Sequence, residues 1–109
     1  MIEGILSKDI EVWWPHVQEY LIPALEHGLG EYSIGDIKKS CKSKNMQLWV
    51  KMNGKVEGAL VTKISKYPQK NILCVLLLGG NNFSRWRDEA DRILTAFGKE
   101  NNCEYIELF

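Results

Sequence analysis

With 109 residues, 45% of them hydrophobic and 26% charged, the chain has the make-up of one folded domain, leaving no room for a second and no case for disorder. Fourteen Lys and Arg balance fourteen Asp and Glu, so no overall field draws in nucleic acid or an anionic membrane, and no apolar run approaches a membrane span. Three scattered cysteines, Cys41, Cys74 and Cys103, form no Cys-x-x-Cys pair, and Met1-Ile2-Glu3-Gly4 opens no leader peptide; both point to a reduced, cytoplasmic protein.

In chain order, Ile2 to Leu6 reads as a short strand, with Ser7 or Asp9 capping a first turn. Pro15 fits the first position of a helix, where a missing N–H is harmless, and Val17, Tyr20, Leu21, Ala24 and Leu25 follow at helical spacing. Pro23 predicts a kink or break, and Gly28 and Gly30 an end. His16 and His27 stand about 16 Å apart on this segment at 1.5 Å rise per residue, too far to share a metal ion, and no metal is expected. Ser33 opens a second helix, with Asp36 in a capping-box-like position and Ile34, Ile37 and Cys41 as the apolar side. Lys38, Lys39, Lys42 and Lys44 read either as a solvated face that complements the helix dipole or as a seat for an acidic partner.

Met46–Met52 and Lys55–Ser65 flank Asn53-Gly54, the dipeptide suited to a type I′ hairpin turn because both central residues take positive φ. That turn sets Met52 opposite Lys55 and Trp49 opposite Gly58, where the indole covers a bare backbone. After Tyr67-Pro68-Gln69-Lys70 comes Ile72–Leu78, apolar on both faces and so an inner strand covered on each side, with Cys74 as a buried small hydrophobe. Trp86, Ala90, Ile93, Leu94 and Phe97 mark the apolar face of a last helix, Asn101-Asn102 breaks it, and Cys103–Phe109 returns as a strand able to lie parallel to Ile72–Leu78. An apolar strand ending in Gly79-Gly80 and leading through Asn81-Asn82-Phe83-Ser84 into a helix has two readings. It can seat a phosphate on free backbone N–H groups at the positive helix end, or it can be a plain glycine turn.

The order strand, helix, helix, three antiparallel strands, helix, strand resembles the GNAT superfamily of N-acetyltransferases, in particular its small phage-encoded members. The residues that carry the likeness are Trp14-Pro15-x-Val17, Leu48-Trp49-Val50, Gly58-Ala59-x-Val61-Thr62, Tyr67-Pro68 and Cys103-x-x-Ile106-Glu107-Leu108. The resemblance implies an α/β (α+β) domain with a mixed, mostly antiparallel sheet, the N-terminal helices on one side and a crossover helix before the last strand. It implies acetyl-CoA as cofactor, with the acyl thioester on strand backbone near Leu77–Gly79 and the pyrophosphate on Gly79, Gly80, Asn81, Asn82, Ser84 and Arg85, in host cytoplasm or virion. An N-acyltransferase of this kind takes Glu57 or Glu107 as the base that deprotonates a primary amine. The family's Arg/Gln-x-x-Gly-x-Gly/Ala loop signature is missing, and the chain stops at Phe109, before the family's further helix and strands. Those departures leave open an alternative of near-equal weight, a catalytically silent GNAT-like interaction module such as a phage accessory or virion-associated protein. An open sheet end at Phe109 and the aromatic supply of Trp13, Trp14, Trp49 and Trp86, at least half of it expected in the core, suit a homo-oligomer or a protein partner.

Overall fold

The computed structural model describes residues 1–26 and 30–108. Its elements are β1 (Ile2–Ile5), a 3-10 turn (Ser7–Asp9), α1 (Ile10–Glu26), α2 (Ile34–Lys42), β2 (Gln47–Met52), β3 (Val56–Lys66), β4 (Asn71–Gly80), α3 (Phe83–Glu100) and β5 (Cys103–Leu108). They build one five-stranded sheet in the order β1-β2-β3-β4-β5, antiparallel except for β4 and β5, which run parallel. Apolar stripes on both faces of the sheet explain the layering. Leu48, Val50, Ala59, Val61 and Leu77 pack with α1 and α2, while Trp49, Leu60, Leu73 and Val75 pack with Trp86, Ala90 and Leu94 of α3. The mixed α+β architecture, helices α1 and α2 on one side and the crossover helix α3 on the other, is the one expected from the sequence.

Helix α1 departs from the expected helix in two ways. It starts at Ile10, so Pro15 lies inside it, and it runs unbroken through Pro23. Ile10, Trp14, Val17 and Leu21 recur at helical spacing and are buried, whereas Pro15 and Pro23 are exposed. The carbonyls that lose their donors, on Glu11 and Glu19, belong to exposed residues and can turn to water, so core packing outweighs the local proline rule. Gly28 and His27 lie outside the described residues. The capping box at α2 forms as expected, with the Asp36 N–H donating to Ser33 Oγ at 3.1 Å and the Ser33 N–H to Asp36 Oδ2 at 2.8 Å. Lys38 and Lys42 both reach Glu11 on α1, at 3.0 and 2.7 Å.

The β2–β3 hairpin stands where Asn53-Gly54 places it, but its register differs. Met52 pairs with Val56 and Trp49 with Leu60, because a bulge between Lys51 and Met52 leaves Glu57 as an extra residue and lengthens the loop to Asn53-Gly54-Lys55. Only Gly54, at φ 77°, takes positive φ, so the turn is not type I′. Trp49 covers Gly4 of β1 instead of Gly58, with its ring 3.2 Å from where a Cβ on Gly4 would stand. Gly54→Val still puts a β-branched residue at positive φ and is expected to destabilise the domain by about 1–3 kcal/mol, read as a lowered urea midpoint.

A second anchor ties β1 and β2 to α3. Glu89 accepts hydrogen bonds from the Lys51 ammonium at 2.8 Å and the Ile2 N–H at 2.9 Å, and the Lys51 hydrogen bond first, then that of Ile2, holds its carboxyl below the ordinary glutamate range. A depressed folded-state value means that this stabilisation is present above the unfolded glutamate pKa and is lost as pH falls through the folded one. Urea titrations are therefore expected to show stability dropping on acidification below about pH 4.5, and Glu89→Gln to flatten that slope.

Candidate functional site

Strand β4 reaches beyond its parallel partner. Its last pair with β5 is Val75 with Leu108, so Leu76–Gly80 has β3 on one edge and, among the described residues, no strand on the other. Within that overhang the pairs Thr62 with Val75 and Val61 with Leu77 leave Leu76 as an extra, bulged residue, which bends the strand and re-aims its backbone. Helix α3 starts beside the overhang with Asn82 as its N-cap at φ 57°, a left-handed position that turns the chain sharply upward into the helix. Between the overhang, α3 and β5 lies a cavity of ≈ 530 Å³ lined by Val75, Leu78, Phe83, Arg87, Asp91 and Ile106, among others.

The glycines of the loop have structural occupants. A Cβ on Gly79 would collide with the carbonyl oxygen of Tyr20 on α1 and lie 2.8 Å from its carbonyl carbon. A Cβ on Gly80, at φ 148°, would lie 2.6 Å from the Glu57 carbonyl oxygen, and Gly58 opposite it admits the Trp86 ring, whose nearest carbon would be 2.6 Å from a Cβ there. Asn81 is spoken for as well, its N–H donating to the Glu57 carbonyl at 2.8 Å and its own carbonyl accepting Trp86 Nε1–H at 2.9 Å. Leu77 is buried under α1, and the Arg85 N–H closes the first turn onto the Asn82 carbonyl at 2.9 Å. That leaves the N–H groups of Asn82, Phe83 and Ser84, with the exposed Arg85 side chain next to them, as donors at the start of α3.

The two candidate carboxylates stand apart. Glu57 is the bulged residue beside Gly58, which pairs with Gly80 at the overhang, while Glu107 pairs with Cys74. Those levels differ by about 20 Å along β4 at 3.3 Å per residue. Near Glu57 sits Tyr20, whose hydroxyl donates to the Val56 carbonyl at 3.0 Å and whose pKa is raised, first by burial and then by the charges of Glu19 and Glu57. Cys41, in the α1 and α2 core, has its thiol pushed up to about 12 by burial and offers no nucleophile.

Sequence reasoning missed Tyr20, Arg87 and Asp91 at this site, having read the first as a core-face position and left the others off the apolar face of the last helix. Their signal was faint. Adjacent Gly79 and Gly80, with Gly58 on the neighbouring strand, announce close backbone approaches, but not which element approaches.

Neither a family sequence model nor a curated protein matches the chain. Solved structures do. An aminoglycoside acetyltransferase from an uncultured soil metagenomic sample, in complex with sisomicin, superposes with a TM-score of 0.71 at 17% identity over 100% of this chain and 76% of its own. A protein described as "a probable acetyltransferase" gives 0.72 at 11% identity, over 100% of this chain and 78% of its own. Ribosomal-protein-alanine N-acetyltransferase from Brucella melitensis biovar Abortus 2308 gives 0.63 at 12%, again over 100% and 78%. At such identities the likeness is one of architecture: a mixed α+β domain with a five-stranded sheet and three helices, matching the GNAT acetyltransferase fold.

Proposed function

We propose that the chain is an acyl-CoA-dependent N-acyltransferase acting on a primary amine. The observation that carries the reading is the half of β4, Leu76–Gly80, that has no β5 partner among the described residues and opens beside the start of α3. The residues present fit a coenzyme A thioester. A bare strand edge offers alternating N–H and C=O groups to an amide-containing arm, the cavity under it is largely apolar, and the first N–H groups of α3 with Arg85 suit a diphosphate. Acyl-CoA, when bound, would supply an activated acyl thioester. The protein's part is to orient that group against the amine and to take a proton from the incoming ammonium, a task for which Glu57, at the mouth of the overhang, is better placed than Glu107. Gly79 and Gly80 act indirectly, by letting β4 approach α1 and β3 closely enough to hold the loop in place.

Isothermal calorimetry with acetyl-CoA is expected to give saturable heat, and Arg85→Glu to weaken binding about tenfold or more by removing a charge-assisted contact and adding repulsion. In a thiol-release assay with primary amines, Glu57→Gln is expected to lower kcat/KM by about 10²–10⁴ while leaving acetyl-CoA binding intact. Absence of heat at millimolar acetyl-CoA, together with an unmoved melting temperature, overturns the reading in favour of a silent interaction module.

A further inference from the structure

The neutral net charge hides a segregated distribution. Residues 37–87 hold eleven of the fourteen Lys and Arg and a single carboxylate, Glu57. Part of that excess converges at the end of the sheet opposite the β4 overhang, in a groove of ≈ 700 Å³ lined by Tyr32, Lys44, Gln47, Lys63, Lys66 and Tyr67, with no carboxylate in its wall. Lys44, Lys63 and Lys66 make no ion pair among the described residues, in contrast to Lys38, Lys42 and Lys51.

The floor of this groove is a strand edge. Strand β2 begins at Gln47, which pairs with Thr62, so β3 continues through Lys63–Lys66 with β4 on one side and no strand on the other among the described residues. The chain before β2 is drawn away from that edge toward α2, the Asn45 and Met46 N–H groups both donating to the Ser40 carbonyl at 2.9 and 3.1 Å. The direction of the β3 backbone follows from the hairpin. The Tyr67 N–H donates to the Lys70 carbonyl at 2.9 Å, which makes Tyr67 and Lys70 a hydrogen-bonded pair. By antiparallel alternation Ser65 and Lys63 then bond to β4, and the N–H and C=O groups of Ile64 and Lys66 turn into the groove.

From this geometry we infer that the groove is a strand-addition site for an extended acidic peptide segment of a partner protein, about four residues long, which pairs with Lys63–Lys66 and sets its carboxylates against Lys44, Lys63 and Lys66. An open edge asks for both donors and acceptors. A peptide supplies them at strand spacing, whereas a phosphodiester backbone has acceptor-only phosphates and no donors at that spacing for the Ile64 and Lys66 carbonyls. The lysines fix the sign of the partner, and the edge fixes its conformation.

The test uses the full chain and a labelled peptide, Val-Glu-Glu-Glu-Glu-Val, which as a strand presents carboxylates on both faces of the sheet, as Lys63 and Lys66 require. Its comparators are an analogue N-methylated at alternate amides, an analogue with lysine for each glutamate, and an oligouridylate of equal charge. Anisotropy is expected to show saturable binding of the acidic peptide that either analogue loses, and binding is expected to weaken about tenfold or more in Lys63→Glu and Lys66→Glu. Lys63→Gln and Lys66→Gln, which remove charge without reversing it, should retain the native melting temperature and bind at an intermediate level. Bound peptide should slow hydrogen exchange at the amides of Ile64 and Lys66 specifically. The inference is overturned if the peptide does not bind, if it binds without protecting those two amides, or if the N-methylated analogue binds as well. It is equally overturned if the oligouridylate binds in its place, or if sedimentation shows self-association that Lys66→Glu abolishes, which would assign the groove to a second copy.

Discussion

Gly79→Ala is expected to be the most damaging single-methyl change in the protein, lowering stability by about 3 kcal/mol or more and Tm by over about 10 °C. The site is not one of backbone strain, since Gly79 is absent from the positive-φ positions. The obstacle is the main chain of α1, where the added carbon would run into the Tyr20 carbonyl oxygen and come within 2.8 Å of its carbonyl carbon. Backbone cannot rotate aside as a side-chain tip does, so either α1 lifts from the sheet or β4 shifts in register. Either movement opens the core formed by Val17, Leu21 and Leu77. Gly30→Ala provides the contrast, since among the described residues nothing lies within 4 Å of a Cβ there and no loss of stability is expected. Thermal melts of the two variants side by side check the point, and equal melting temperatures would contradict the close approach of α1 to β4.

Trp86→Ala is expected to cost about 3–5 kcal/mol, the range for removing a large buried aromatic. The ring is 2% exposed, fills the space that glycine leaves at position 58, packs edge-on against Phe83 at 4.8 Å between centroids, and donates its indole N–H to Asn81. Trp86→Phe separates these contributions. It retains much of the packing but leaves the Asn81 carbonyl without that donor, for an expected loss of about 1 kcal/mol beyond the change in ring size. Because Asn81 sits between the β4 overhang and α3, Trp86→Phe is also expected to loosen the loop, read as faster amide exchange from Asn81 to Ser84.

The features legible in the sequence were those set by near neighbours. Ser33 and Asp36 lie three positions apart and satisfy each other's backbone, so the start of α2 could be placed correctly from residue types alone. Strand and helix order followed from apolar periodicity, and with it the fold. Register was not legible, because the bulges at Glu57 and Leu76 answer to packing across the sheet, which no local pattern encodes. The prolines of α1 misled for the same reason: a rule about one turn of helix was overruled by four buried side chains from other turns. At the candidate site the glycine run was conspicuous, but its occupants, Tyr20 and Glu57, lie far off in the chain. The separation of Glu57 from Glu107 likewise depends on strand register.

Strand β1, four residues long, pairs with β2 across the whole of α1 and α2, whereas β2, β3 and β4 join through short turns. The meander can therefore close early at small loop entropy, while β1 must wait for both helices to dock. Ile2 is nonetheless buried against the α3 side of the core, so this part of the core is complete only when a strand that precedes the meander by two helices has docked. Of the five strands β1 closes the longest antiparallel loop, and while it is unpaired the outer edge of β2 is open to other chains.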